Sequence, residues 1–405
     1  MINKLKEEIV VKLGREVSSR GDCELLSAQI ERATGINLNY NTLRRFFRLD
    51  KQEVKAREST LDALSRFLGY RSYQHFLSFQ PLKRAYDQHL KVYALISEFN
   101  PAALINYYRG ISSDSLQRLE FLTQLCRHGL LAHKVEALCD TLDQLQLRVE
   151  DFIYNEVLIL GNSVGLVLRH TSFSRVEINR LLDCTFFNDF IFSIFVDYSA
   201  LNGYYLHYLY HPASNKPDRL LKYGLKTLRA FLQGKTPQVG REVAHRTVRK
   251  PVHPILQGRI FSLALYSGEA EATHLDLLRP LSLENLYEPM VASIISSNYV
   301  LFPAIKAEIR ALFASKDYRH LYYFQVFFLL KACFLYKRGE TDAAQATLAE
   351  IKPDEFRFSY KELLSFFYSL LKYHLFGALN ARHHALLLCQ KLNYPRFNEN
   401  YIDSF

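Results

Sequence analysis

The chain has 405 residues, 49% of them hydrophobic and 23% charged, with a formal net charge of +10. This is the balance of a folded protein with room for two or three domains and a large core. Its 12 Pro and 16 Gly argue against long disordered linkers and against a strand-rich sandwich. Six scattered cysteines without a CxxC pair point to a reducing compartment rather than a disulfide framework. The opening segment MINKLKEEIVVKLGREV is amphipathic and carries acids, unlike a signal or transit peptide. The most apolar stretch, Phe186–Tyr210, is interrupted by Asn188, Asp189, Asp197 and Asn202, which argues against a membrane span. The cytoplasm is the expected location.

The positive charge is unevenly placed. Residues 1–80 hold 14 Lys and Arg against 10 Asp and Glu, whereas residues 214–259 hold 11 against 2. A concentrated basic segment implies an anionic partner more strongly than a diffuse basic composition does.

In chain order, the spacing of Leu5, Ile9, Leu13 and Val17 predicts a first helix over Asn3–Ser18. Asp22 is the expected N-cap of a second helix reaching Thr34, with Gly35 as its left-handed cap. Asn39 then caps a short helix, NTLRRFF. At 100° per residue Asn41, Arg44, Arg45 and Arg48 share one face of it, and Leu43, Phe46 and Phe47 the opposite face. Arg grips guanine O6/N7 bidentately and Asn grips adenine N6/N7, so such a front fits a DNA major groove. A polar connection, Arg48–Arg57, leads to the helix STLDALSRFLGY ended by Gly69. The piece SYQHFLSF follows and is expected to bury Tyr73, Phe76 and Phe79.

Ile30, Gly35, Ile36, Thr42, Leu43 and Arg45, followed by Ser59, Leu61, Leu64, Leu68 and Gly69, resemble the helix-turn-helix domains of the lambda-repressor-like class. The resemblance covers about a fifth of the chain. It implies a DNA-binding unit over residues 1–80 in which Asn41, Thr42, Arg44 and Arg45 meet base edges. Tyr40, Arg48, Lys51, Lys55 and Arg57 are the candidates for phosphates, with packing on the turn the other role open to Tyr40.

After Pro81 helix follows helix to the C-terminus, as in stacked helical hairpins, so residues 81–405 are expected to form an all-α solenoid. In Phe328–Ile351, Ala332, Gly339, Ala344 and Leu348 resemble one tetratricopeptide repeat, with small residues where two helices approach. Within the array, Arg219, Lys222, Lys226 and Arg229 share a face of a helix over Lys216–Leu232. A loop carrying Arg246, Arg249 and Lys250 follows it. This second basic patch is a solvated surface, a phosphate-backbone contact, or a seat for an anionic ligand or acidic peptide. The aromatics of Phe186–His211 have helical spacing and are expected in the core, with a ligand groove as the other reading.

No Gly-rich phosphate loop, GxSxG, HExxH or paired-carboxylate motif is present, so an enzyme is not expected. Cys126, His128, His133 and Cys139 come nearest to a metal cluster, but on a continuous helix they point to opposite sides, so neither metal nor cofactor is expected. The chain therefore reads as a cytoplasmic, bacterial-type transcriptional regulator and homodimer. Double-stranded DNA would bind the head, and a peptide, protein or anionic ligand the repeats. The alternatives are an interaction scaffold whose head docks a protein, and a non-specific DNA or RNA binder using residues 214–259.

Overall fold

The computed structural model describes residues 1–49, 56–112, 116–237, 254–312 and 321–405. These residues are helical throughout, with no strand among them. They fall into two compact units, Met1–Glu98 and Phe99–Phe405.

The first unit holds α1 (Ile2–Leu13), α2 (Arg20–Thr34), α3 (Tyr40–Phe46), α4 (Glu58–Phe67) and α5 (Tyr73–Glu98). Helix α1 is shorter than its apolar spacing predicts, because Gly14 turns left-handed (φ 75°) and stops it before Val17. Helix α2 starts at Ser19, not Asp22. The Ser19 hydroxyl accepts the Asp22 amide while the Asp22 carboxylate accepts the Ser19 amide, a reciprocal capping box that uses Asp22 one turn later than expected. Leu5, Ile9, Leu26, Ile30, Leu43, Leu64 and Phe76 meet in one fully buried core.

The pieces expected on either side of Pro81 form the single helix α5. Proline in a helix interior removes one backbone bond, at a cost of about 3 kcal/mol. Contacts on both sides of it oppose the break. Gln80 Nε2 and Lys83 Nζ donate to the same Glu8 oxygen at 3.0 and 3.1 Å, and Tyr70 Oη donates to the other at 3.1 Å. Phe76 is buried as expected, whereas Phe79 is exposed.

In the second unit the first helices are α6 (Pro101–Gly110), α7 (Leu116–Leu131), α8 (Val135–Leu145), α9 (Tyr154–His170), α10 (Arg175–Asp183), α11 (Tyr205–Tyr210) and α12 (Lys216–Leu232). They are followed by α13 (Pro254–Phe261), α14 (Leu263–Ser267), α15 (Leu283–Ser296), α16 (Phe302–Leu312), α17 (Leu321–Lys337), α18 (Thr341–Ala349), α19 (Lys361–Phe376), α20 (Leu379–Leu392) and α21 (Glu399–Ser404). Packing runs largely between near neighbours, as in α7 on α8, α17 on α18 and α19 on α20. Helix α15 is an exception: it is buried over nearly its whole length and touches α13, α17 and α19.

The aromatic segment is core. Phe187, Phe190, Phe192, Phe195, Tyr198 and Tyr205 are each nearly inaccessible. Its helical spacing does not produce a regular α-helix at the start, because Phe187–Phe192 widens into a π-helical turn. Gly161 and Gly165 of α9 make that possible. A Cβ on Gly165 would lie 2.2 Å from the Phe195 ring, and one on Gly161 2.6 Å from Ile194. Beyond the turn, Asp197 is held by Arg169 through bonds of 2.8 and 3.1 Å.

Candidate nucleic-acid interface

The short helix α3 is fixed at both ends and along its back. Gly35 (φ 71°) closes α2, the Ser27 hydroxyl donates to the Leu38 carbonyl, and the Asn39 side chain accepts the Asn41 amide at 2.8 Å. Glu31 lies exposed and accepts from Asn37 Nδ2 at 3.1 Å, so it does not obstruct the approach of α2 to α3. Leu43 and Phe46 enter the core, each contributing about 1.5–3 kcal/mol by burial. Phe47 packs edge-on to Phe46 with centroids 5.2 Å apart. Seven residues are too few for an isolated helix in water, so this packing and the caps hold α3 together.

Arg45 is exposed and Arg44 partly so, the latter donating from Nη1 to Asn41 Oδ1 at 3.5 Å. Asn41 and Thr42 are half-buried on the first turn. Arg48 departs from the expected helical face. The helix ends at Phe46, and Arg48 takes a left-handed conformation (φ 63°), donating its amide to Arg45 while Leu49 donates to Arg44 at 2.9 Å. This is a Schellman stop with arginine where glycine is usual. The exposed Arg48 side chain therefore leaves from the end of the helix, not from its side.

Helix α1 adds a cation that the local pattern does not reveal. Lys6 Nζ lies 5.2 Å from the Phe46 ring centroid and 6.0 Å from that of Phe47. Partial burial, with Arg48 nearby, holds its ammonium below the usual lysine value. Tyr40 packs against the core, and the Arg20 guanidinium lies 4.8 Å from its ring. Arg57 is exposed just before α4, while Lys51 and Lys55 lie outside the described residues. The site thus combines an exposed arginine face, a rigid apolar back and a cation from a helix almost forty positions earlier.

The second basic patch does not form the single face expected of it. Lys222 is buried, bonded to Asp218 at 2.9 Å and to the Pro212 carbonyl at 3.1 Å, with its ammonium 4.3 Å from the Tyr208 ring. Arg229 is half-buried and donates to Asn202 Oδ1 at 2.9 Å. Arg219 and Lys226 are exposed, and Arg246, Arg249 and Lys250 lie outside the described residues. The reason is geometric: on a helix this heavily packed, the stripe between the apolar face and solvent is itself covered, so a cation there must find an acceptor, a carboxylate for Lys222 and an amide oxygen for Arg229.

Cys126 and Cys139 are buried, while His133 faces Glu177 at 2.9 Å. Helix α7 passes unbroken through Gly129, whose missing Cβ lets Leu138 of α8 approach. Among the described residues no group of three or more His, Cys, Asp and Glu is placed to hold a metal ion. None of the described helices is long and apolar enough to cross a membrane. No family model, curated protein or solved structure matches this chain.

Proposed function

We propose that the chain is a sequence-specific DNA-binding transcriptional regulator, working as a homodimer and not as an enzyme, whose first unit presents α3 to the major groove. The observation that carries the reading is the pairing of an arginine face (Arg44, Arg45) with a back locked by Leu43 and Phe46. A recognition element needs both, because an arginine discriminates bases only when its backbone is held in place. Asn41 and Thr42 stand on the first turn, where recognition helices meet base edges. Arg48, Arg57 and Lys6 flank the face and suit phosphates, which position a protein without reading sequence. The second unit, proposed as a tetratricopeptide-like array, would carry dimerisation and sensing.

Selection of bound fragments from a genomic library tests this directly. The full chain should enrich a recurring site, and Arg44→Ala with Arg45→Ala should abolish the enrichment while helicity and oligomeric state stay unchanged. Equal enrichment by the double variant would remove α3 from the recognition role.

A non-specific DNA or RNA contact by residues 214–259 would not use Lys222, which is buried.

A further inference from the structure

A cavity of about 470 Å³ lies within the second unit, between α9, the aromatic segment, the start of α12, α13 and the residues just before α19. Its size is in the range of small-molecule sites. Val157, Leu158, Ile194 and Leu256 give it an apolar wall, and Arg259, Arg357 and Glu288 line it as well.

The charges at this end of the cavity do not balance. Glu288 is fully engaged: Arg259 Nη2 donates to it at 2.8 Å, the Tyr360 hydroxyl donates to its other oxygen, and the Tyr198 hydroxyl stands 3.4 Å away. Arg259 Nε is buried with no hydrogen-bond partner. Arg357 lies with its guanidinium 5.8 and 5.9 Å from the rings of Tyr287 and Tyr322; Glu288 acts on it at longer range, and no carboxylate among the described residues bonds to it directly. Two guanidiniums thus share one carboxylate. A cation over an aromatic face gains less than desolvating an ion costs. Both guanidiniums are only partly exposed, so a further negative group in the cavity would be drawn to them.

The far wall limits what that group can be. Asp218 is already satisfied by Lys222, by the Tyr208 hydroxyl at 2.6 Å and by the Ser214 amide at 2.9 Å. Asp189 accepts from the Ser214 hydroxyl at 3.2 Å, and Glu150 stands on the same side, where the neighbouring cation Arg148 is paired with Asp151 at 3.2 Å. These acids would repel a second charge on the ligand, which disfavours polyphosphates.

We propose that this cavity binds a small amphipathic organic anion, its single carboxylate, sulfonate or phosphate-monoester head on Arg357 and Arg259 and its apolar body against Leu158 and Ile194. The inference stands whether or not the first unit binds DNA.

Calorimetric titration of the full chain tests it, using naphthaleneacetate, naphthalenesulfonate, naphthyl phosphate and decanoate, with neutral naphthaleneacetamide as the reference. At least one anion should bind about tenfold or more tighter than the amide. Arg357→Met should reduce that anion to the level of the amide, and Leu158→Trp, which fills the cavity from a half-buried position, should abolish binding of both. Circular dichroism and melting temperature establish that the variants fold. The proposal is overturned if no anion binds, if the amide binds as tightly as every anion, or if folded Arg357→Met keeps the preference. Should Arg357→Met fail to fold, Leu158→Trp decides: an anion that still binds the filled cavity also overturns it.

Discussion

The cations of α3 and those of α12 have the same formal charge and opposite surroundings. Arg45 and Arg48 stand in solvent at the end of a short helix, whereas Lys222 is enclosed with Asp218 and the ring of Tyr208. Charge density along the sequence points to α12, yet Arg45 and Arg48 are exposed where Lys222 is not. The difference teaches that a basic segment becomes a basic surface only where packing leaves its side chains outside. On α12, neighbouring helices cover the side of the stripe that holds Lys222 and Arg229 and leave Arg219 and Lys226 exposed on the other side.

The contrast can be tested by substitution. The largest effect is expected from Lys222→Met, which leaves the Asp218 carboxylate buried without its ion-pair partner. Breaking a buried pair costs about 3–5 kcal/mol, which urea denaturation would show, and DNA affinity in the folded protein should not change. A stable Lys222→Met protein with a flattened salt dependence of DNA binding would reverse the assignment.

On α3 the opposite pattern is expected. Arg44→Ala and Arg45→Ala should each weaken binding to the selected site by about 1–3 kcal/mol if the arginine reads a base. Stability should change by only about 0.5 kcal/mol, as for ordinary surface positions.

Arg48→Gly separates stability from binding at one residue. Relief of the left-handed strain should stabilise the folded chain by about 1 kcal/mol. Loss of the charge should lower the salt slope of DNA binding by about one phosphate contact.

The smallest expected difference is a change in the pH slope of stability, at Asp197. Burial pushes its carboxyl up, but Arg169, with the hydroxyls of Ser199 and Tyr204, holds it below the ordinary carboxylate value. A carboxyl depressed on folding contributes stability that is complete above the unfolded pKa of about 4 and is lost as pH falls through the lower folded value. Acid unfolding of Asp197→Asn should therefore be less steep below about pH 4 than that of the parent. Equal acid slopes would show that the Arg169 contact does not depress Asp197.

Much of the helical layout is legible in the chain. Gly35 and Asn39 act where their capping chemistry places them, and α12 spans the expected Lys216–Leu232. The aromatic segment is core, as its spacing suggests. The misreadings have local causes. Gly14 overrides apolar spacing in α1, contacts to Glu8 on both sides carry α5 past Pro81, and two glycines on α9 let the aromatic segment widen into a π-turn.

The candidate site divides in the same way. The arginine face and apolar back of α3 can be read from a period of 3.6 residues, because they belong to one short helix. The place of Lys6 beside Phe46 cannot, since it joins positions forty residues apart, and neither can the uneven charge around Arg357 and Glu288. By itself the sequence determined helix positions, caps and the sign of local charge, all of which depend on neighbours within a few residues. Only the tertiary structure decided which cations reach solvent, which are neutralised inside, and where an unpaired guanidinium lines a cavity. Burial and ion pairing are set by contacts between helices, and those contacts leave no period in the chain.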